Sequence, residues 1–176
     1  MPIRIMDAQA LALALDRLAM QVLEKHTDDE ALMLVGIERR GADLARRLAS
    51  LLERKYGRCV PLGTLDINLY RDDWTSLAGK PVIGQSDIPE SVDEKNIVLI
   101  DDVLFSGRTV RAALNALLDY GRPHRVELLV LIDRGHRELP IQADFVGKEV
   151  ETRRDEQIDV SLAERDGEDA VDLSTR

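Results

Sequence analysis

The 176-residue chain contains one cysteine, Cys59. A single thiol forms no internal disulfide, so the fold is not a disulfide-stapled scaffold. Cys59 reads as a packed strand residue rather than a nucleophile. Aromatic residues make up only 3% of the chain, so the core must be built from aliphatic side chains, and the 44% hydrophobic content is enough for a sizeable one. No apolar run approaches the roughly 20 residues of a membrane span. The start, Met1-Pro2-Ile3-Arg4-Ile5, lacks the shape of a signal peptide. These absences together point to a cytoplasmic protein with no membrane partner. The three histidines show no ligand spacing with carboxylates, so no metal held directly by the protein is expected.

A positive charge excess is also missing. The formal net charge of −9 argues against general nucleic-acid affinity. The acidity is uneven: Glu149–Arg176 carries ten acidic and four basic residues, against 23 and 20 in the rest of the chain. The acidic tail reads as solvated surface, and the main body remains free to carry a local basic face.

Hydrophobic patterning alternates between helix and strand. Asp7 can cap a helix running to about Lys25, with Leu11, Leu15, Leu18 and Val22 on one stripe. Ala31–Val35 reads as a strand, Gly36–Gly41 as a glycine-bounded loop, and the next stretch as a helix with Leu44, Leu48, Leu51 and Leu52 inward. Arg58–Ile67 is strand-like. Asn68–Pro89 is read as a long loop or hairpin with turn residues such as Gly79, Pro81 and Gly84, and loops of that length in compact domains are usually functional. A strand over Ile97–Ile100, a helix from about Thr109 to Tyr120 stopped by Gly121 and Pro123, and a strand over Val126–Ile132 follow. Shorter segments lie near Phe145-Val146, Gln157–Ala163 and Ala170–Leu173. Strands alternating with helices predict one α/β domain with a central, mostly parallel sheet flanked by helices. Ligands of such sheets bind beyond the carboxyl ends of the strands. Gly36–Gly41, Asp101–Thr109 and Asp133–Arg137 meet that condition.

The richest stretch is Val98-Leu99-Ile100-Asp101-Asp102-Val103-Leu104-Phe105-Ser106-Gly107-Arg108-Thr109. A buried strand ends in two carboxylates, a small-residue turn follows, and a helix begins. Asp101 and Asp102, turned together by a bend at the strand end, can accept hydrogen bonds from vicinal ribose hydroxyls. Backbone N–H groups of the turn, the Ser106 and Thr109 hydroxyls and the helix N-terminus can hold a phosphate, and Gly107 lets the backbone come close. Arg39 and Arg40, in a glycine-bounded loop after a strand, suit phosphate oxygens through paired hydrogen bonds.

The stretch Val98–Thr109 resembles the phosphoribosyl pyrophosphate (PRPP) motif of type I phosphoribosyltransferases. Within that group the chain is similar to the PyrR family, pyrimidine operon attenuators with uracil phosphoribosyltransferase activity. Matching segments include Val35-Gly36-Ile37-Glu38-Arg39-Arg40-Gly41, Asp66-Ile67-Asn68-Leu69-Tyr70-Arg71-Asp72-Asp73 and Asp133-Arg134-Gly135-His136-Arg137-Glu138-Leu139-Pro140-Ile141, and the likeness spans about Leu15 to Thr152. The resemblance implies a single phosphoribosyltransferase domain over residues 1–176, with a small hood formed mainly by about 133–176.

It implies that PRPP or UMP is held by Arg39, Arg40, Asp101, Asp102, Val103, Leu104, Phe105, Ser106, Gly107, Arg108 and Thr109. Of these, Asp101, Asp102, Arg39 and Arg40 are the residues expected to carry catalysis. A flexible loop containing Arg71, Asp72 and Asp73 closes over PRPP, with Trp74 packing its base. Asp133, Arg134, Gly135 and Arg137 sit near uracil, and His136 is part of the hood. Magnesium arrives mainly on PRPP and pyrophosphate. Hypoxanthine-guanine enzymes carry an aspartate where this chain has Phe105, which turns the expectation toward pyrimidines, although Phe105 also fits as simple packing beneath the loop. UMP or UTP, and a homodimer or higher assembly, also follow from the family.

The same family binds leader mRNA. Basic residues at the corresponding places are Arg17, Lys25, Lys148, Arg153 and Arg154, but Asp16, Met20 and Gln142 depart from the pattern. Enzyme, RNA-binding regulator and nucleotide sensor with little turnover all stay open at this point.

Overall fold

A computed structural model describes residues 2–28, 31–73 and 84–175. Its elements are β1 (Ile3–Met6), α1 (Ala8–Lys25), β2 (Leu32–Ile37), α2 (Arg40–Tyr56), β3 (Leu62–Leu65), a 3-10 turn (Asn68–Tyr70), β4 (Asn96–Leu104), α3 (Arg108–Leu118), β5 (Arg125–Asp133), β6 (Phe145–Glu149), β7 (Glu156–Ser161), α4 (Ala163–Asp166) and β8 (Ala170–Thr175). Trp74, Gly79 and Pro81 lie outside the described residues.

Local chemistry accounts for the main boundaries. The Asp7 carboxylate accepts the Ala10 N–H at 2.8 Å and caps α1. The helix then buries Leu11, Ala14, Leu15, Leu18, Ala19 and Val22 along one stripe. Gly57, at φ +64°, ends α2 in a left-handed turn. Every residue of β2 is buried, as expected of a parallel strand covered on both faces.

Five parallel strands form the main sheet, in the order β3-β2-β4-β5-β6. Alternate residues of β4 serve two cores. Val98 and Ile100 pack with Leu18, Leu44 and Leu48 of α1 and α2. Ile97 and Leu99 pack with Val110, Ala113 and Leu117 of α3. The chain therefore leaves β2 toward β3 with α2 on one face, and leaves β4 toward β5 with α3 on the other. That reversal between neighbouring strands is the place where open α/β sheets leave a crevice at their carboxyl ends.

A second, antiparallel sheet in the order β1-β8-β7 joins the two ends of the chain. Local pattern gives no strand signal at Ile3–Met6, which pairs with β8. Nor is the acidic tail merely solvated: Glu164 and Asp169 both bind Arg47 of α2, the latter at 2.7 Å, and Asp166 binds Arg40 at 3.0 Å.

Other expectations are corrected. The strand read at Arg58–Ile67 is confined to Leu62–Leu65. Cys59 precedes it and is exposed rather than packed. His26 is 5% exposed at the end of α1, where its Nε2 lies 2.6 Å from the buried Glu127 carboxylate. The loop read at Gly36–Gly41 is much shorter, because Gly36 and Ile37 complete β2 while Arg40 and Gly41 open α2. Among the described residues, no helix is long and apolar enough to cross a membrane.

Candidate active site

Two connections meet at the crevice between β2 and β4. The first is the Glu38–Arg39 turn, whose peptide bond is cis. Two glycines bring it close to the sheet. A Cβ at Gly36 would lie 2.4 Å from the Ala42 Cα, and a Cβ at Gly41 would lie 2.4 Å from the Ile100 carbonyl oxygen and 3.1 Å from the Asp101 Cα. Only glycine permits either approach. The arginine loop and the carboxylate pair, far apart in sequence, are thus joined by backbone contact. Arg39 is exposed and Arg40 half-buried. Arg40 donates through Nη2 to Asp166, and its Nε is buried without an acceptor.

The second connection follows β4. The strand does not end before the carboxylates as expected; it continues through both of them to Leu104. Strand pairing to Val130, Ile132 and Asp133 of β5 therefore fixes their backbone, in place of a free bend. Asp101 is 6% exposed and Asp102 is half-buried. Asp101 accepts the Asp102 N–H at 2.9 Å, and Asp102 accepts the Val103 N–H at 2.8 Å. Burial, and then the neighbouring Asp102 charge, push the Asp101 carboxyl well above the usual carboxylate range. The two side chains stand next to each other with Asp102 the more exposed, and their oxygens can accept from hydroxyl groups.

Gly107, at φ +90°, turns the chain into α3. The Ser106 hydroxyl accepts the Arg108 N–H at 3.3 Å. Val103 to Gly107, with Thr109 and Val110, line a cavity of about 70 Å³ against the helix N-terminus. Backbone N–H groups and the positive end of the helix favour an anion there. The Arg108 side chain is engaged elsewhere, with Glu138 at 2.7 Å and Asp72 at 2.9 Å. Asp72 also binds Arg111 at 2.6 Å, and Arg71 pairs with Asp73 at 2.9 and 2.7 Å. Asp72 is thereby clipped to the first turn of α3, beside the cavity at the helix N-terminus.

The segment after β5 braces this loop. Ser106 carbonyl accepts the N–H groups of Glu138 and Leu139 at 2.9 and 3.2 Å, and the Phe105 carbonyl accepts from Arg137 at 3.0 Å. The Arg134 guanidinium lies over the Phe105 ring at 4.2 Å, while the His136 ring meets it edge-on at 5.9 Å. Arg134 is buried and donates to the Thr152 hydroxyl at 3.1 Å and the Arg153 carbonyl at 3.0 Å. Arg137 also binds Asp133 and the Ile141 carbonyl. Both arginines thus hold the loop and its neighbours together. Asp133, Arg134, Gly135 and Arg137 do line one cleft of about 500 Å³, completed by Glu149, Val150 and Glu151. The sequence reading missed these last three, because their place depends on β6 pairing beside β5.

The five basic residues considered for RNA fall in two groups. Arg17 donates to the Gly147 carbonyl, Lys25 pairs with Glu127 and sits over the Phe145 ring, and Lys148 donates to the Ile5 carbonyl at 3.2 Å. Arg153 pairs with Glu156 at 3.3 Å, and Arg154 lies 3.7 Å from Glu138. Each is already engaged within the chain. Among the described residues, no group of three or more His, Cys, Asp and Glu side chains is arranged to hold a metal ion.

Residues 4–165 match the phosphoribosyl transferase domain family. A bifunctional protein PyrR of Syntrophobacter fumaroxidans is 52% identical over 167 residues, covering 95% of this chain and 90% of that protein. One from Thermus thermophilus is 51% identical over 172 residues, covering 98% and 95%. Solved structures share the fold at low identity. A hypoxanthine phosphoribosyltransferase of Staphylococcus aureus superposes with a TM-score of 0.71 at 17% identity, covering 99% of this chain and 92% of that one. The Leishmania tarentolae HGPRT-ase in complex with GMP gives 0.71 at 17%, covering 99% and 96%. The fold, the two loops at the crevice and the near full-length identity agree: the chain belongs to the phosphoribosyl transferase domain family and, within it, to the bifunctional PyrR proteins.

Proposed function

We propose that the chain transfers the ribose 5-phosphate unit of PRPP to N1 of uracil, giving UMP and pyrophosphate, and that it also serves as a uridine-nucleotide-responsive regulator of pyrimidine genes through leader mRNA. The observation that carries the enzymatic reading is the meeting of the arginine turn and the Asp101–Thr109 segment at the crevice, locked by Gly41 against Ile100.

The roles follow from what each group offers. The Ser106–Thr109 turn and the start of α3 hold the 5-phosphate. Asp101 and Asp102 hold the ribose hydroxyls. Arg39 and Arg40 receive the pyrophosphate, whose charge is shared with magnesium brought by PRPP. The C1–oxygen bond breaks with oxocarbenium character, and uracil N1 attacks from the opposite face, its proton leaving with the pyrophosphate. No protein nucleophile is needed, so positioning and fixed charges supply the rate. Arg71, Asp72 and Asp73 begin a loop that closes over PRPP and keeps water from the cation.

The cleft of Asp133, Arg134, Gly135 and Arg137 receives the base, under a hood that includes the β1-β8-β7 sheet. Phe105, fixed between Arg134 and His136, offers an apolar ring and no proton acceptor at the place where purine enzymes carry an aspartate. The test is incubation with PRPP, Mg²⁺ and each free base in turn. The regulatory role is tested by a mobility shift with uridine-rich leader RNA, with and without UMP. UMP-dependent retardation is expected, and its absence at all UMP levels removes that role.

A further inference from the structure

The β7–β8 connection joins the acid-rich end of the chain to the candidate site through charge. Arg165 pairs with the buried Asp43 of α2, and Arg47 pairs with Glu164 and Asp169. The Arg47 links lie further along α2, whereas Asp43 lies next to the turn, its N–H donating to the Arg39 carbonyl at 3.4 Å. The third is different, because Arg40 stands at the mouth of the Glu38–Arg39 turn. Its Nη2 donates to both Asp166 oxygens, at 3.0 and 3.3 Å. A guanidinium gripped at one corner is fixed in orientation and keeps other donors for a second anion. Asp166 is fixed in its turn: its Oδ2 accepts the Leu162 N–H at 2.8 Å, and its own N–H donates to the Leu162 carbonyl at 2.7 Å.

We propose that Asp166 is a positioning residue for phosphoribosyl transfer: it holds Arg40 in the orientation that receives the pyrophosphate of PRPP. The proposal rests on the role given to Arg40 above. A long arginine loses side-chain freedom when it captures an anion, and that cost weakens binding. With Asp166 holding it, part of the ordering is complete before PRPP arrives.

The test uses the full chain and compares wild type, Asp166→Asn, Asp166→Ser, Glu164→Gln, Arg40→Ala and the Asp166→Asn/Arg40→Ala double variant. Asparagine and serine keep an oxygen for the Leu162 N–H but remove the charge facing Arg40. The readouts are KM for PRPP, kcat, and calorimetric affinity for magnesium pyrophosphate. Asp166→Asn and Asp166→Ser are expected to raise KM and weaken pyrophosphate binding about fivefold, the upper end of what a partly exposed ion pair contributes. Their kcat at saturating PRPP changes little. In the Arg40→Ala background Asp166→Asn adds nothing further. Glu164→Gln leaves KM near wild type, since Arg47 keeps Asp169. Wild-type KM in both Asp166 variants overturns the proposal, as does an undiminished effect without Arg40 or an equal rise in Glu164→Gln. A wild-type chain that neither binds magnesium pyrophosphate nor turns over PRPP overturns the role of Arg40 itself, and the proposal with it.

Discussion

Gly41, in the first turn of α2, presses on the carbonyl of Ile100 so closely that a Cβ at residue 41 would lie 2.4 Å from that oxygen. Neighbouring backbone cannot give way as a side-chain tip can. Gly41→Ala is therefore expected to force α2 away from β4, lowering stability by about 1–3 kcal/mol, as overpacking does. It also separates Arg40 from Asp101, so KM for PRPP rises. Thermal melts and PRPP kinetics check this together. A destabilised variant with unchanged PRPP kinetics means that the contact does not set the site.

Asp102 and Thr109 are expected to matter to turnover and little to folding. Both lie at least partly in solvent, where removing a charge or a hydroxyl leaves no buried hole. Asp102→Asn or Thr109→Ala should cost on the order of 10²-fold in kcat/KM, as loss of one preorganised group does, with a melting temperature near wild type. Asp101→Asn should cost less than Asp102→Asn, because Asp101 is buried and Asp102 is the more exposed of the two toward the crevice. Near-normal turnover in Asp102→Asn and Thr109→Ala removes the site assignment.

Glu127 gives a pH-dependent stability. Burial pushes its carboxyl up, but hydrogen bonds from Lys25 and His26 outweigh burial and hold it below the usual range. A depressed carboxyl contributes stability above its unfolded value, near 4.5, and loses it as pH falls through the folded value. Asp101 has the opposite sign, favouring the folded chain at low pH and opposing it as pH rises from its unfolded value toward the raised folded one. Glu127→Gln is expected to lose about 1.5–3 kcal/mol at neutral pH, the worth of hydrogen bonds to a charged group. The gap from wild type should close at acid pH. Denaturant melts across pH 3–7 check this, and a gap that stays constant contradicts it.

Arg134→Lys keeps the charge and loses the fork. A lysine cannot reach both the Thr152 hydroxyl and the Arg153 carbonyl while lying flat on Phe105. Because Arg134 is buried, the variant is expected to lose about 2 kcal/mol and to raise KM for uracil more than KM for PRPP. Equal changes in both constants mean that the Phe105 stack does not shape the base cleft.

Local pattern was enough for the α1 cap at Asp7, the buried β2 run and the places, though not the bounds, of the three connections at the strand ends. Each depends on residues adjacent in sequence. What it missed depends on distant partners. Ile3–Met6 becomes a strand only through Leu173, Asp172 and Val171 of β8. His26 is buried because Glu127 meets it from β5. The acidic tail is structural because Arg40, Asp43 and Arg47 of α2 lie opposite Glu164, Arg165, Asp166 and Asp169. Asp101 and Asp102 read as strand-end carboxylates because charge usually ends a buried strand, but pairing with β5 carries β4 past both.

The central claim is that one crevice joins ribose phosphate to uracil. The most direct test is product formation from PRPP and Mg²⁺ with uracil, cytosine, hypoxanthine, guanine and adenine offered separately. UMP and pyrophosphate are expected in equal amounts from uracil, and no nucleotide from the others. A purine nucleotide formed as fast as UMP, or no product from any base, contradicts it.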